Sequence, residues 1–455
     1  MKEPRELTIV AAINLMRRGD LTAQELVKSC LERIHQREGT IHAWVEVYED
    51  EALEEARRYD NEFRRGQWRG ELHGIPIGVK DIIDVKGMWT RAGCSVYPAC
   101  VAEVDAQAVQ RLRAAGAIIL GKTETTPFAN LDPTITRNPW NPEHTPGGSS
   151  SGSGAAVADR MCLAALGTQT GGSLLRPAAY NGIVGFKPSY GYISLNRVIP
   201  VAWSLDHIGS HTRCVDDAKI LCQIMKDDHP SPFARMPMLI NNPGKRSLDS
   251  FRSYPRLGYM RGFFETEASP EVVKHLTSIR EKFEQAGAIV VDLELPKSFA
   301  QVNSAHRTIH HTELACYHRP LFESYREQYP PKIKTRIEEG MTIPGYQYVE
   351  ALHHRLVFQK EMGERLSSLD AAVMPTVPST APGGLASTGS PAFCQPWSFS
   401  GFPAISIPSG VDNQGLPFAI QLLGLPMAEK KLIEVASWCE QIIAFNSSPV
   451  AKDST

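Results

Sequence analysis

Hydrophobic and polar positions along this 455-residue chain follow two different periods. The first sixty residues favour helices, and the clearest begins at Thr22, where Thr22 and Glu25 have the spacing of a capping box before an apolar face of helical period. From residue 74 onward, short apolar runs alternate with helical patterns, as in the run 74–79, the helix 106–115 and the run 117–120. This alternation is typical of α/β proteins.

The same alternation continues toward the C-terminus. Further strands are predicted at 162–166, 182–186, 257–260, 288–293, 371–374, 404–407 and 418–423, and further helices after Asp216, over 269–286 and across 300–368. Two Pro/Gly/Ser-rich stretches, 229–253 and 378–396, are interpreted as loops, because neither separates halves that could fold alone. We therefore expect the late strands to join the sheet of the early ones, although length alone suggests about three domains.

Composition restricts the class of protein. Hydrophobic residues make up 42% and charged residues 22% of the chain, which is enough for a folded core. The net charge of −2 gives no broad footprint for nucleic acid or an anionic membrane. The N-terminus has the pattern of neither a secretory signal nor a membrane span. Nine scattered cysteines without a Cys-x-x-Cys pair favour a reduced, cytoplasmic protein.

Two loops of small residues carry candidate chemistry. The run 146–154 is rich in Gly and Ser, which alone is typical of a flexible linker, but it lies between apolar elements, where glycine often allows close approach to a ligand. The loop 168–173 follows an apolar run and ends in Gly171, Gly172 and Ser173. A plain β-turn would explain it, yet a serine beside consecutive backbone N–H groups is also how a nucleophile is presented next to an oxyanion hole.

A serine nucleophile needs a base, and Lys80 is the candidate. It ends the apolar run 74–79, where burial would lower the pKa of its amine and allow it to accept a proton. The alternative is a lysine that leaves the sheet edge and pairs with Asp81 or Asp84. Histidine is the usual base, but the local concentration of histidines matches no triad or metal motif. Its members are His306, His310, His311, His318, His353 and His354.

Taken together, these segments resemble the amidase signature family, hydrolases with a Ser-cisSer-Lys triad. The resemblance runs from about residue 72 to 206 and recurs near 415–424, and Ser173 follows Ser149 by the family's spacing of 24 positions. It implies that Ser173 is the nucleophile, that Ser149 is the bridging serine in a cis peptide after Gly148, and that Lys80 is the base. It implies no metal and no cofactor.

The resemblance also implies an oxyanion hole and a fold. The hole maps onto the backbone N–H groups of Thr170, Gly171, Gly172 and Ser173. The fold is a single large α/β/α unit with a central mixed β-sheet covered by helices. One domain would then span 1–455, with N-terminal helices over 1–65, the core with the family motifs over 66–210, the remaining sheet and pocket helices over 211–445 and a tail over 446–455.

Two positions depart from the commonest family pattern. Gln169 stands where many members have Asp, and Leu175 precedes Arg176 where many have Arg one place earlier. Both departures resemble the malonamidase branch, in which the shifted arginine contacts a substrate carboxylate; a structural role for Arg176, as an ion pair or a cap on backbone carbonyls, is the alternative. The other substrate-binding candidates are Gly148, Phe128 and Tyr192.

The expected pocket walls are 128–136, 190–203 and parts of 300–360. Their apolar members favour a bulky acyl or aryl group; these are Tyr192, Ile199, Val201, Trp203, Tyr317 and Met341. The predicted activity is hydrolysis of non-peptide carboxamides through an acyl-enzyme, with a specificity that extends to aryl amides, esters or carbamates.

Three alternatives stay open for the function. They are an amidase for monoamides of small dicarboxylic acids, the glutamine-hydrolysing subunit of a tRNA amidotransferase and a non-catalytic scaffold. The expected partner is a small-molecule amide, without nucleic acid or membrane, and a homodimer is the oligomer to expect.

Overall fold

Eleven strands form one mixed β-sheet in the computed structural model, which describes residues 3–228 and 254–449. The predicted loop 229–253 and the end of the predicted tail lie outside the described residues. The strands of the described residues are β1 (Trp44–Val47), β2 (Ile75–Lys80), β3 (Trp89–Thr90), β4 (Cys100–Val101), β5 (Ala117–Thr123), β6 (Ala164–Gln169), β7 (Val184–Lys187), β8 (His207–Thr212), β9 (Arg256–Met260), β10 (Ile289–Leu293), β11 (Ala371–Pro375), β12 (Ala404–Val411) and β13 (Pro417–Leu423). Strands β3 and β4 form a separate two-stranded ribbon.

The order in the large sheet is β1-β5-β2-β6-β8-β7-β12-β13-β11-β9-β10. Strand β2 runs parallel to both β5 and β6, whereas β12 pairs antiparallel with β7 and so joins the late strands to the early ones. Every residue of β2, β5, β6, β8, β11 and β13 is buried, so helices cover both faces of the sheet. The predicted mixed α/β architecture is confirmed.

Fourteen α-helices surround this sheet within the described ranges. They are α1 (Ile9–Arg18), α2 (Ala23–Ile41), α3 (Glu49–Arg64), α4 (Gln107–Ala114), α5 (Ser151–Ala158), α6 (Leu175–Asn181), α7 (Val215–Met225), α8 (Phe263–Thr266), α9 (Pro270–Gln285), α10 (Val302–Tyr325), α11 (Pro331–Thr342), α12 (Gly345–Leu366), α13 (Gln395–Ser400) and α14 (Glu429–Ile443). The predicted capping box opens α2: Thr22 Oγ1 accepts from the Glu25 backbone N–H at 3.1 Å, and the Glu25 carboxylate accepts from the Thr22 N–H at 2.8 Å.

The Gly/Ser-rich run does not form a linker, because its second half is helix α5. All eight residues of α5 are buried, and their small side chains let the helix pack closely on its neighbours. A Cβ atom at Gly152 would overlap the backbone of Ala43 and Glu124. Glycine is required there by close packing of backbone on backbone.

Candidate active site

The parallel pairing of β2 and β6 brings two candidate segments to one edge of the sheet. Lys80 is the last residue of β2, and the loop that carries Ser173 begins where β6 ends. Val79 lies opposite Leu166 in the ladder, so both chains leave the sheet at the same edge. Because carboxyl ends of parallel strands share an edge, the lysine and the serine loop are neighbours.

Lys80 is completely buried and contacts two hydroxyl groups. Its Nζ lies 2.7 Å from Ser149 Oγ and 2.8 Å from Thr168 Oγ1. Burial lowers the pKa of the Lys80 amine well below its ordinary value, and the nearby Asp206 carboxylate opposes this only in part. The amine is therefore suited to accept a proton.

Ser149 belongs to the loop that precedes α5. It is fully buried, and the peptide bond between Gly148 and Ser149 is cis, as the family resemblance implies. The next residue, Ser150, donates its backbone N–H to the Ser173 carbonyl at 3.1 Å. This bond ties the Ser149 loop to the Ser173 loop, so the structure brings Lys80, Ser149 and Ser173 into one region.

The backbone of the Ser173 loop is held through its carbonyl groups. The carbonyls of Thr170, Gly171 and Gly172 accept, respectively, from His306 Nε2 at 2.9 Å, from Ser398 Oγ at 2.9 Å and from the Arg176 backbone N–H at 3.0 Å. Within residues 3–228 and 254–449, the backbone N–H groups at positions 171–173 have no acceptor. These free donors are what an oxyanion hole needs.

Two buried polar side chains shape the same loop. The Gln169 amide oxygen accepts from the backbone N–H groups of Leu174 and Leu175 at 3.1 and 3.0 Å. The Asp206 carboxylate accepts from Thr170 Oγ1 at 2.5 Å, and burial raises the pKa of Asp206 to about 7. Gln169, the first departure from the family pattern, therefore builds the turn that presents Ser173.

Arg176, the second departure, is buried and bonded to backbone. Its guanidinium donates to the Gly148 carbonyl at 3.2 and 2.6 Å, to the Gly389 carbonyl at 2.8 Å and to Thr388 Oγ1 at 3.1 Å. Only 2% of the residue is exposed. These contacts fit the structural alternative, a cap on backbone carbonyls, and they hold the Gly148 carbonyl beside Ser149.

A cleft of about 700 Å³ opens above the Ser173 loop, and its outer wall consists of α10 and α11. The wall is polar and mostly cationic, with Arg307, Lys332 and Arg336 against the single carboxylate of Glu339. The remaining lining residues are Ala129, Asn130, Leu131, Thr170, Gly171, Gly172, Ser173, Arg176, Asn303, Ser304, His306, His310, His311, Thr335, Pro391 and Gln395.

The structure does not bring every predicted substrate-binding residue to this cleft. Phe128 lies in an aromatic cluster, stacked on Tyr329 at 5.6 Å between ring centroids and edge-on to His318 at 4.6 Å. Tyr192 packs against the core and lies under the Lys226 ammonium, 5.9 Å from its ring. The predicted wall 190–203 is also absent from the lining, whereas 129–131 and parts of 303–339 are present.

Sequence reasoning missed residues that come from distant segments. Ser398 and Asp206 contact the Ser173 loop from ordinary sequence contexts, whereas His306 contacts it from the histidine concentration. The histidine concentration was considered only as a catalytic triad or a metal site, whereas His306 binds the Thr170 carbonyl. No group of three or more metal-ligating side chains occurs in the part of the chain that the structure describes. None of its helices has both the length and the apolarity to cross a lipid bilayer.

Comparison with known proteins adds independent observations. A family model described as Amidase matches residues 25–433. A glutamyl-tRNA(Gln) amidotransferase subunit from Chloroflexus aurantiacus is 32% identical over 98% of this chain and 99% of its own length, and one from Lachnospira eligens is 31% identical over 96% and 98%. The native peptide amidase of Stenotrophomonas maltophilia superposes with a TM-score of 0.83, at 29% identity, over 98% of this chain and 99% of that one.

These relatives correct the partner prediction. A small-molecule amide as the sole partner, with no nucleic acid and a homodimer as the oligomer, is wrong, because proteins similar over nearly the whole chain are named as one subunit of a tRNA amidotransferase. Such a name refers to protein partners and to a tRNA. The net charge of −2, from which nucleic acid was excluded, describes one chain and not an assembly.

The fold, the residues at the sheet edge and the family match all point to the same family of proteins. The family model covers most of the chain, and the solved structure of the peptide amidase shares the fold from end to end. The chain therefore belongs to the amidase signature family and is an amide-hydrolysing enzyme.

Proposed function

We propose that the chain hydrolyses a carboxamide through an acyl-enzyme on Ser173, with Ser149 and Lys80 as a proton relay. The observation that carries this proposal is the buried Lys80 Nζ at 2.7 Å from Ser149 Oγ. A neutral amine there can take the Ser149 proton while Ser149 takes the proton of Ser173. Ser173 Oγ then bonds to the substrate carbonyl carbon, and the developing oxyanion lies near the free N–H groups of the loop.

The relay works in reverse when the intermediate collapses. The carbon–nitrogen bond breaks, and the proton held by Lys80 returns through Ser149 to the leaving nitrogen. Water then attacks the acyl-enzyme with the same relay as base, which releases the carboxylic acid and regenerates Ser173. All atoms of this cycle come from the amide and one water molecule.

Replacing the nucleophile tests the cycle. We expect Ser173→Ala to lose more than about 1,000-fold in kcat, as is usual when a nucleophile is removed, with an unchanged melting temperature. A fluorophosphonate probe should label the wild-type protein and not this variant. Ser278→Ala, a half-buried serine on α9, is the control. Turnover within tenfold of wild type in folded Ser173→Ala would contradict the proposal.

The charge of the cleft indicates the substrate class. Arg336 donates to Asn130 Oδ1 at 2.9 Å, and burial lowers the pKa of its guanidinium to about 10 without neutralising it near pH 7. Arg307 forms no ion pair within the described part of the chain. A desolvated guanidinium with two further cations nearby favours an anionic group on the substrate. The cationic outer wall therefore favours an acid amide over a neutral aryl amide or carbamate.

The relatives support a leaving group, ammonia from a primary carboxamide, and a place for the chain as one subunit of an assembly. Both a peptide amidase and one subunit of a tRNA amidotransferase are similar over almost the whole chain. We therefore propose that the substrate is the primary carboxamide of a small acid, with glutamine as first candidate, and that the chain works as one subunit of an assembly. All nine cysteines are free in the structure, which fits the cytoplasmic location included in this proposal.

A second candidate is an acid-amide hydrolase that needs no tRNA. Gln169 and Arg176 favour it, because both differ from the commonest family pattern; Gln169 shapes the Ser173 loop, and the Arg176 guanidinium holds the Gly148 carbonyl beside Ser149. The two candidates share the chemistry and the anionic substrate. They differ in whether ammonia is released to solution by the chain alone or only when a tRNA and a partner protein are present.

A substrate panel with a charge variant separates these readings. We expect ammonia release from glutamine or malonamate to exceed that from propionamide and acetanilide in kcat/KM. Arg336→Gln should raise KM for the acid amide by about tenfold to 100-fold, the usual value of a charged hydrogen bond, and leave propionamide unchanged. Lys334→Gln is the matched control, since Lys334 lies on α11 but pairs with Glu327 at 2.7 Å outside the cleft. A preference for acetanilide would contradict the anionic substrate.

A further inference from the structure

We infer that His306 is a positioning residue for the oxyanion hole, acting through its hydrogen bond to the Thr170 carbonyl. The inference rests on the proposed function, because it assigns a task only to a loop that receives a developing oxyanion. His306 belongs to α10, the outer wall of the cleft, and lies 136 positions from Thr170 in sequence.

The loop needs such support because of its glycines. Gly171 and Gly172 follow Thr170 directly, and glycine backbone reorients at little steric cost. In a planar trans peptide unit the N–H and the C=O point in opposite directions. A flip of the Thr170–Gly171 unit would therefore put a carbonyl oxygen where the Gly171 N–H had been. An oxygen in that place repels the oxyanion, whereas an N–H stabilises it.

His306 opposes this flip. Its Nε2 lies 2.9 Å from the Thr170 carbonyl oxygen, and only 4% of the residue is exposed. Burial lowers the pKa of the His306 ring to about 4, so the ring is neutral at physiological pH. A carbonyl oxygen can only accept, so the single ring proton lies on Nε2 and is donated. Losing this bond would leave the buried carbonyl without its partner, which is costly.

The next peptide unit is held in the same way. Ser398 Oγ donates to the Gly171 carbonyl at 2.9 Å, and Gln169 Nε2 donates to Ser398 Oγ at 3.1 Å. An Asp at position 169 could accept but could not donate to Ser398. Two successive carbonyls are thus held by side chains from distant helices, His306 of α10 and Ser398 of α13. The hydrogen bonds of these two side chains replace rigidity that the glycines lack.

The experiment separates the bond from the packing. His306→Phe keeps an aromatic ring and removes the donor, whereas His306→Gln keeps an N–H donor. We expect His306→Phe to lower kcat by about tenfold to 100-fold, less than the loss of an oxyanion donor itself, with KM within about twofold. Affinity for a boronic acid that forms a tetrahedral adduct with Ser173 should fall by the same factor. His306→Gln should recover most of both losses.

Two further variants complete the test. His354→Phe is the matched control. His354 lies on neighbouring α12, and its Nε2 donates to the Ser298 carbonyl at 2.8 Å, away from the Ser173 loop. Its kcat and boronic acid affinity should match the wild type. Ser398→Ala removes the second anchor and should lower kcat in the same manner, which keeps the inference testable if His306→Phe does not fold.

The outcomes distinguish this inference from the proposed function. If the wild type forms no boronic acid adduct on Ser173, the proposed function fails and this inference fails with it. If the adduct forms, but folded His306→Phe and Ser398→Ala keep kcat within twofold, the positioning role is overturned while the proposed function stands. If KM rises and kcat does not change, His306 binds substrate and does not position the loop.

Discussion

Burial lowers the pKa of two lysines on neighbouring strands, but only one of them has an ion-pair partner. Lys122 on β5 lies 3.1 Å from the Asp81 carboxylate, which favours the charged ammonium. Lys80 on β2 contacts only hydroxyl oxygens and has no ion pair among the described residues. The sequence left open whether Asp81 pairs with Lys80, and the structure assigns Asp81 to Lys122. Burial therefore dominates the pKa of the Lys80 amine, and only the more distant Asp206 carboxylate opposes it in part.

The residue scale yields a prediction on pH. Because burial lowers the pKa of Lys80, the neutral, proton-accepting amine prevails above that lowered value. We expect kcat/KM to rise with pH through an acid limb well below the ordinary lysine pKa of about 10.4 and then to level off. A limb near that ordinary value would contradict a buried neutral base.

A second lysine variant tests the same point. Lys80→Arg should be inactive at every pH at which the protein is folded, since a guanidinium does not release its proton in this range. Lys334→Arg, an exchange of the same kind on the outer face of α11, should keep the wild-type profile. An active Lys80→Arg enzyme would rule out Lys80 as the base.

At the scale of elements, α10 and α11 meet at very short range. Gly340 on α11 lies against the carbonyl of His311 on α10, and a Cβ atom at Gly340 would overlap that oxygen. The two helices carry all four charged groups of the outer wall, Arg307 on α10 and Lys332, Arg336 and Glu339 on α11. The spacing of these charges thus depends on one glycine contact.

We predict that Gly340→Ala destabilises the protein by about 1–3 kcal/mol, the usual cost of overpacking, and raises KM for an acid amide more than it lowers kcat. Gly39→Ala is the control, because a Cβ there meets nothing within 4 Å in the last turn of α2. It should stabilise the protein by about 0.5–1 kcal/mol through helix propensity. Urea unfolding and steady-state kinetics measure both effects.

Sequence patterns predicted those elements that have a strong period and a local boundary. The capping box of α2 and the apolar run of β2 are examples. Strand β8 was missed, because His207–Thr212 is rich in polar residues that find buried partners only in the folded state. Helix α5 was missed because Ser and Gly are poor helix formers and tight packing overrides their preference.

The candidate site likewise has a part that local sequence predicted and a part that it did not. The proximity of Lys80, Ser149 and Ser173 was predictable from local sequence together with family spacing, and the two departures were visible at Gln169 and Arg176. The cleft wall was not predictable, because its cationic face comes from helices whose packing sets which side chains point inward. Apolar composition of the expected wall therefore suggested an aryl pocket where the structure has a charged one.

At the scale of the molecule, the antiparallel β7–β12 ladder connects the early and late halves of the sheet. Ile405 lies opposite Phe186 in this ladder, and both side chains are buried in one apolar cluster. We propose that the chain is one cooperative unit, in agreement with the expected single domain. A continuous sheet with shared apolar clusters gives neither half a separate core.

This proposal predicts a single unfolding transition. Far-ultraviolet circular dichroism and tryptophan fluorescence should report the same midpoint in urea. Ile405→Ala should shift that common midpoint by an amount equivalent to about 2–5 kcal/mol, the usual cost of truncating a buried isoleucine. Two separated transitions, or a variant that destabilises only one of them, would show two units.

The proposed mechanism assigns bond cleavage to the sheet edge and substrate contact to the outer helices, and this separation has an evolutionary consequence. In the proposed mechanism, bond cleavage relies on Lys80, Ser149 and Ser173, whereas α10 and α11 form the part of the cleft that would contact the rest of the substrate. Substitutions in these two helices could therefore change which substrate is preferred without altering the proposed proton relay. His306 is the exception, since it belongs to the wall but holds the loop. A library that randomises the wall and fixes His306 would sample new substrates from a working catalyst.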